Sequence, residues 1–404
     1  MERKMKDSGI PWIGEIPSDW SSDMIGNLYT LRNEKVSDKD YLPLSVGKMG
    51  VVPQLETAAK TDDGDNRKLV RVGDFAINSR SDRRGSCGIS NYDGSVSLIN
   101  TILTPRGEMN PQYFNWFFHT EQFADEFYKW GHGIVDDLWT TRWQEMKRIT
   151  ISVPPLAAQQ RIADFLDRKC AEIDELAALQ ETMIAELKRY KQSVITEAVT
   201  KGLDPNVPMK DSGVEWIGEI PSAWGTIRLK FLCTIQTGNQ DTQDAVADGE
   251  YPFYVRSPFV EHSNKFSFEG EGILMAGDGA GAGRVFHHVF GKYAVHQRVY
   301  RLANFTNIHS DYLFYFLSSL FCKEMDRGSA QSTVPSVRLP MLQNFCICIP
   351  PLAEQRAIAE YLDKKCAEID ELIVIKQQKI EALKEYKKSV IFEYVTGKKE
   401  VESN

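Results

Sequence analysis

The chain has 404 residues, 42% of them hydrophobic and 26% charged, and a formal net charge of −8. That length exceeds what one hydrophobic core usually organises, so two or more domains are expected. No run nears the roughly 20 apolar residues of a membrane helix, and the polar start Met1–Ser8 has no signal-peptide core behind it.

Seven scattered cysteines without CxxC spacing fit a reducing cytoplasm, the expected location. Cys346 and Cys348 share one face of a strand, a spacing open to a redox or metal role as well as to plain packing. Net acidity argues against nucleic acid, but the charge is uneven. Arg284, Lys292, Arg298 and Arg301 fall in a stretch without acids, and Arg80, Arg83 and Arg84 surround a single Asp82.

In chain order the first element is an opening segment, residues 5–20, MKDSGIPWIGEIPSDW. It returns at 209–224 as MKDSGVEWIGEIPSAW, identical at 13 of 16 positions. Its tryptophans Trp12, Trp20, Trp216 and Trp224 suit core anchors. A first variable stretch follows to about residue 152. Strand-like runs at Leu69–Ile77 and Ser95–Leu103, then a helical run at Pro111–Tyr128, predict an α+β head.

Pro154-Pro155 then opens a stretch free of Gly and Pro as far as Val199, rich in good helix formers. Apolar residues recur at Ile162, Leu166, Ile173, Leu176, Met183, Leu187, Tyr190 and Val194, a coiled-coil-like stripe that Gly202 and Pro205 end. The second variable stretch, about 225–348, shows no evident similarity to the first. Its strand-like runs are Ile273–Ala276 and Tyr293–Leu302, and its helical run is Tyr312–Met325.

The second long helix repeats the first. Residues 349–396 match 153–200 at 28 of 48 positions, with the stripe Ile358, Leu362, Ile369, Leu372, Leu383, Tyr386 and Val390. Neither stripe can stay in water, so the helices are expected to pack on each other, antiparallel, about a pseudo-twofold axis. The domains expected are 1–152, opening segment and first head; 153–204, first long helix; 205–348, second opening segment and head; and 349–404, second long helix and tail.

Motifs of catalysis are missing. The glycine run Gly277–Gly283 lacks the third glycine of a dinucleotide loop and any Gly-Lys-Ser/Thr, and suits a tight turn between strands. Asn110-Pro111-Gln112-Tyr113 lacks the second proline of an adenine-methyltransferase motif. His287, His288 and His296 have no Cys or acid at metal-ligand spacing.

The frame resembles the specificity subunits of Type I restriction-modification systems. The resemblance is carried by Met209-Lys210-Asp211-Ser212-Gly213, Trp216-Ile217-Gly218-Glu219-Ile220-Pro221 and Pro350-Pro351-Leu352-Ala353-Glu354-Gln355, with Ile358 and Tyr361-Leu362-Asp363 behind, in both copies and over the whole chain. The first copy departs at Ala158-Gln159-Gln160, where the second has Glu354-Gln355-Arg356.

The resemblance implies an α+β protein with two globular target-recognition domains joined by two long antiparallel helices in a coiled coil. Each domain would read one half of a split double-stranded DNA target, and the helices would set the gap. Methyltransferase subunits, two of them, would dock on the helices and bring their own S-adenosylmethionine. Motor-nuclease restriction subunits would join for cleavage. The chain itself would hold no catalytic site, cofactor or metal.

Candidate DNA contacts in the first head are Arg80, Ser81, Arg83, Arg84, Ser86, Lys129, Trp130, His132, Thr141 and Arg142. In the second they are Arg284, His287, His296, Gln297, Arg298, Arg327, Ser329, Gln331, Ser332 and Arg338. Arginine suits guanine and phosphate, and Gln suits adenine. The helix and partner interface is expected at Ile162, Leu166, Ile173, Leu176, Leu187 and Tyr190, with Ile358, Leu362, Ile369, Leu372, Leu383 and Tyr386. A coiled-coil bridge without a DNA role, a stand-alone methyltransferase and a modification-only system stay open at this point.

Overall fold

The computed structural model describes residues 3–54, 64–80, 83–133, 139–328 and 335–401, without the side chains of 326–328. The chain forms two compact units, one of residues 1–180 with 378–404 and one of residues 181–377. Each takes part of both long helices, Leu156–Lys201 and Leu352–Val395, which are 46 and 44 residues long. Pro155 starts the first helix, its carbonyl accepting from the amides of Ala158 and Gln159 at 2.8 and 3.0 Å. Gly202 (φ +79°) and Gly397 (φ +72°) end the two in the left-handed conformation that glycine adopts without strain.

Within the first unit the two helices run antiparallel. Phe165 packs on Tyr394 with ring centroids 4.3 Å apart, and further along Asp174 takes Lys387 at 2.6 Å. Within the second unit Lys191 reaches Asp370 at 2.6 Å and Lys376 meets the Met183 sulfur at 3.5 Å. The two lysine–aspartate pairs hold equivalent places in the repeat. Exposed pairs of this kind are worth about 0.2–1 kcal/mol, so they specify register more than they stabilise.

The buried seam differs in part from the predicted stripe. Ile162, Leu166, Ile173, Ile358, Leu362 and Ile369 are buried, joined by Cys170, Cys366, Ile184 and Ile380. Leu187 and Leu383 are half-buried. Leu176, Tyr190, Leu372 and Tyr386, expected in the stripe, are 46–52% exposed. The seam keeps a seven-residue repeat, through Leu166, Cys170, Ile173, Ala177, Gln180, Ile184, Leu187 and Lys191 and their counterparts, and Leu176, Tyr190, Leu372 and Tyr386 each stand one residue beside it.

The two heads share the order of their main sheet despite their unrelated sequences. In the first, a four-stranded antiparallel sheet runs Cys87–Ile89, Phe75–Asn78, Asn100–Pro105, Tyr29–Arg32. In the second, the corresponding order is Phe286–Val289, Gly272–Ala276, Val299–Ala303, Thr234–Thr237. A smaller layer repeats too. Gly94–Val96 pairs antiparallel with Arg67–Val70, and Lys292–Val295 pairs the same way with Phe268–Glu269. A hairpin stands beside that layer in each head. Tyr251–Tyr254 with Val260–Ser263 pairs into it through Lys292–Val295. Leu44–Gly47 with Gly50–Pro53 is a separate two-stranded sheet that meets it at the Pro43–Ser95 bridge, and Lys35–Val36 adds a strand on the other side of Arg67–Val70.

Repeated side chains fasten each head to its helices. Gln159, buried at the first helix start, accepts from the Asn110 amide at 2.8 Å and donates to the Pro154 carbonyl at 2.9 Å. Gln355 does the same with the His309 amide (2.7 Å) and the Pro350 carbonyl (2.9 Å). The Tyr113 hydroxyl donates to the Val395 carbonyl at 2.7 Å, and the Tyr312 hydroxyl to the Val199 carbonyl at 3.0 Å. In each unit a head tyrosine thus satisfies a carbonyl in the last turn of a long helix.

The Ala158/Glu354 departure has a structural consequence. Trp20 and Trp224 are both 1% exposed. The Trp224 indole donates from Nε1 to Glu354 Oε2 at 3.0 Å. In the first unit Ala158 stands at that position, and Trp20 Nε1 is buried with no hydrogen-bond partner among the described residues. Ala158→Glu is therefore expected to stabilise the first unit, and Glu354→Ala to destabilise the second, each by about 1 kcal/mol. Urea unfolding monitored by tryptophan fluorescence checks both; a neutral Glu354→Ala would mean that water replaces the carboxylate at no cost.

Candidate nucleic-acid interface

The variable loops of the second head are stitched into one platform. The glycine run is the connection between the Gly272–Ala276 and Phe286–Val289 strands. Gly277 donates to the Arg298 carbonyl at 2.8 Å and accepts from the Val337 amide at 2.7 Å. A Cβ on Gly277 would stand 2.8 Å from the Arg298 oxygen, and one on Gly281 would strike the Arg256 carbonyl, so the close approach requires glycine there. The Gly279 amide meets the Pro335 carbonyl at 3.0 Å, and His296 reaches the Tyr254 carbonyl through its amide at 3.0 Å.

On this platform Arg256 Nη1 lies 3.1 Å from Asp278 Oδ1, and Arg298 Nε lies 3.8 Å from Asp278 Oδ2. The Arg298 side chain is 65% exposed. A cavity of about 620 Å³ opens beside them, lined by Thr242, Arg256, Pro258, Glu261, Asp278 and Gly281 among others. Arg256 and Asp278 escaped sequence reasoning, because single charged residues in loops carry no periodic signal.

The first head repeats the stitching. The Thr141 amide donates to the Ser79 carbonyl at 3.0 Å, as Val337 does to Gly277. Arg80 and Thr140 form a bridge where Asp278 and Ser336 form the other. The Tyr128 hydroxyl holds the Arg80 carbonyl at 2.9 Å. So the Arg80–Ser86 loop and the 139–142 segment converge, as the glycine loop and the 335–338 segment do.

Side-chain placements divide the candidates. Arg83, Arg84, His132 and Arg142 are exposed and Arg80 is half-buried; Arg84 pairs with Asp125. Lys129 is exposed and pairs with Glu126 at 3.2 Å. Trp130 is half-buried, donating to Glu126 at 3.0 Å with Arg148 5.2 Å over its ring. In the second head Arg284, Gln297, Arg298 and Arg338 are exposed. Gln297 donates to Asp241 at 2.7 Å.

Three candidates are corrected by burial. Thr141 is 0% exposed and spends its hydroxyl on the Phe127 carbonyl at 2.8 Å. Ser86 is buried beneath the Arg80 loop. His296 is 3% exposed, with Nδ1 accepting from the Arg298 amide at 3.0 Å. The three side chains lie within the loops and not on their exposed face. Ser81, Ser329, Gln331 and Ser332 lie outside the described residues, as does the Arg327 side chain.

The half-buried His287 and the buried His296 both have pKa values lowered by desolvation. At His296 the nearby Arg256 charge lowers it further, against Asp241 and Asp278, which raise it; at His287 a hydrogen bond with the Ser257 backbone opposes the shift. A depressed histidine contributes stability that is present above its unfolded value, about 6.5, and lost as pH falls toward the folded one. The second unit is therefore expected to lose stability as pH falls below about 6.5, and the double variant His287→Gln/His296→Gln to flatten that limb. Denaturation midpoints across the range check this; an unflattened limb would assign it to other groups.

Among the described residues no group of three or more His, Cys, Asp or Glu side chains is placed to hold a metal, and no helix is long and apolar enough to cross a membrane. Cys348 is buried, which pushes its thiol up to about 12. Cys346, on the same strand, is half-buried.

Comparison with known proteins matches residues 17–189 and 221–385 to the family described as Type I restriction modification DNA specificity domain. The chain is 28% identical over 174 residues to the Type I restriction enzyme EcoDI specificity subunit of Escherichia coli, spanning 43% of this chain and 38% of that one. It is 28% identical over 277 residues to the MjaVIII specificity subunit of Methanocaldococcus jannaschii, covering 62% of each. The alignments thus span less than two thirds of either relative. A putative MjaX specificity subunit of the same archaeon aligns over 96% of this chain and 95% of its own length at 23% identity.

Among solved structures, a chain from work on complex assembly and conformational transition of the type I R-M system superposes with a TM-score of 0.73 at 15% identity, covering 94% of this chain and 98% of that one. The HsdS subunit of Thermoanaerobacter tengcongensis gives 0.54 at 16% identity, covering 95% and 98%. At these identities the likeness is one of fold.

Proposed function

Since the chain belongs to the Type I restriction modification DNA specificity family, we propose that it is the sequence-recognition subunit of such a complex, each head reading one half of a split DNA target. The observation that carries this reading is the pair of heads with one main-sheet order and one loop-stitching pattern but unrelated loop residues. A common platform with different side chains suits two readers of different half-sites. Arg80, Arg83 and Arg142 in one head, and Arg284, Arg298 and Arg338 in the other, supply phosphate contacts and base-edge hydrogen bonds.

Methylation and cleavage belong to partners in this reading. Leu176, Leu179, Met183 and Tyr190 on one long helix, and Leu372, Val374, Ile375 and Tyr386 on the other, are 36–52% exposed. Apolar surface of that extent suits two docked methyltransferase subunits. These bring S-adenosylmethionine and flip the target adenine, and motor-nuclease subunits join them for cleavage. The complex works in the cytoplasm, where the DNA is.

Methylome sequencing of cells carrying this gene and its methyltransferase tests the proposal. The expected result is a split, asymmetric motif with a modified adenine in each half, lost on deletion of this gene. No motif dependent on the gene, with both proteins expressed, would overturn it.

A further inference from the structure

The most exposed large apolar side chains among the described residues are Met49, at 88%, and Phe259, at 80%. They hold the same place in the two heads. Met49 sits in the two-residue turn between Gly47 and Gly50, at the tip of the Leu44–Gly47/Gly50–Pro53 hairpin. Phe259 sits at the tip of the corresponding Tyr251–Tyr254/Val260–Ser263 hairpin. Single exposed apolar residues are common on protein surfaces. Two at equivalent tips of heads without sequence similarity call for a shared cause.

Each tip is tied by local contacts to an element that adjoins the loops of the candidate interface. Gly50, at φ +90°, closes the first turn. Its Cα approaches Gly88 so closely that a Cβ there would be 2.7 Å away. Gly88 belongs to the Cys87–Ile89 strand, which leads directly out of the Arg80–Ser86 loop. In the second head the Ser257 hydroxyl donates to the Phe259 carbonyl at 3.1 Å and accepts from its amide at 3.2 Å. Arg256, on the same loop, reaches Asp278 of the glycine loop. A cation accompanies each apolar tip, Lys48 in one and Arg256 in the other, and both are exposed.

An exposed apolar side chain on a hairpin turn, flanked by a cation and adjoining basic loops, has the form of the wedges that proteins push between base steps. Met and Phe are among the residues so used. We propose that Met49 and Phe259 are such wedges, each unstacking one base step in its own half-site while Lys48 or Arg256 holds the adjacent phosphate. The inference rests on the DNA-recognition reading and adds to it a deformation step with named residues. Unstacking at that step lowers the cost of extruding the neighbouring adenine.

The test uses the full chain with its methyltransferase partner, bound to the duplex found by methylome sequencing. 2-Aminopurine replaces one base at a time beside the methylated adenine in each half-site. Wild-type complex is expected to raise the fluorescence at one flanking step per half-site. Met49→Ser is expected to abolish the rise in one half-site only, and Phe259→Ser in the other only, each weakening binding about tenfold. Both residues are exposed in turns, and circular dichroism of each variant checks that it folds. Unchanged fluorescence in both variants, in complexes that still bind the cognate duplex, would overturn the wedge and leave the recognition reading intact. Failure of the wild-type complex to prefer that duplex over a random one would overturn both.

Discussion

Seven residues inserted into both long helices, after Gln180 and after Gln377, are expected to lengthen the unmodified gap in the methylated motif by about three base pairs. Seven residues make nearly two turns and about 10 Å of helix, and a base pair occupies about 3.4 Å of duplex. One added heptad keeps the seam residues facing inward. The insertion must be made in both helices because their register is pinned within each unit, by Asp174 on Lys387 and by Lys191 on Asp370. An insertion in one helix alone would slide one of those pairs apart. The half-sites themselves should not change, since no head residue is altered. Methylome sequencing of cells expressing the lengthened protein reads the gap directly. An unaltered gap in an active complex would show that the helices do not set the spacing.

Gln355→Leu is expected to lower the stability of the second unit by about 3 kcal/mol. The side chain is 0% exposed and satisfies two backbone groups at once, the His309 amide and the Pro350 carbonyl. Leucine has nearly the same volume, so packing survives while both groups lose their partner. Each unsatisfied buried group costs about 1–3 kcal/mol. Gln159→Leu is expected to do the same in the first unit, by way of the Asn110 amide and the Pro154 carbonyl. Arg298→Ala, on the exposed platform, should move stability by less than about 0.5 kcal/mol. Chemical denaturation of the full chain separates these outcomes. A neutral Gln355→Leu would mean that water enters the bracket.

These two experiments bear on the frame, the part of the molecule that could be read without coordinates. The duplicated opening segments, the Pro-Pro starts, the uninterrupted helix formers and the closing glycines are local signals, and each has a local cause. A helix needs only the right residues in a row, and Pro155 and Gly202 end it by backbone chemistry alone. The α+β character of the heads follows likewise from short strand-like runs between turn residues.

Tertiary structure decided the rest. That the two heads share a sheet order could not be seen in their sequences, because strand pairing is made by the backbone and tolerates different side chains on the same topology. Which candidates face outward was equally hidden: Arg298 is exposed, while His296, two residues earlier, is buried under the turn it holds. The seam passes Leu176 and Tyr190 by because its heptad runs through Ala177 and Lys191, one residue further on, and tertiary packing buries the polar Gln180 in preference to an apolar neighbour. Met49 and Phe259 carry no signal in one dimension. Their equivalence exists only where two hairpins, distant in sequence, occupy the same position in the same fold.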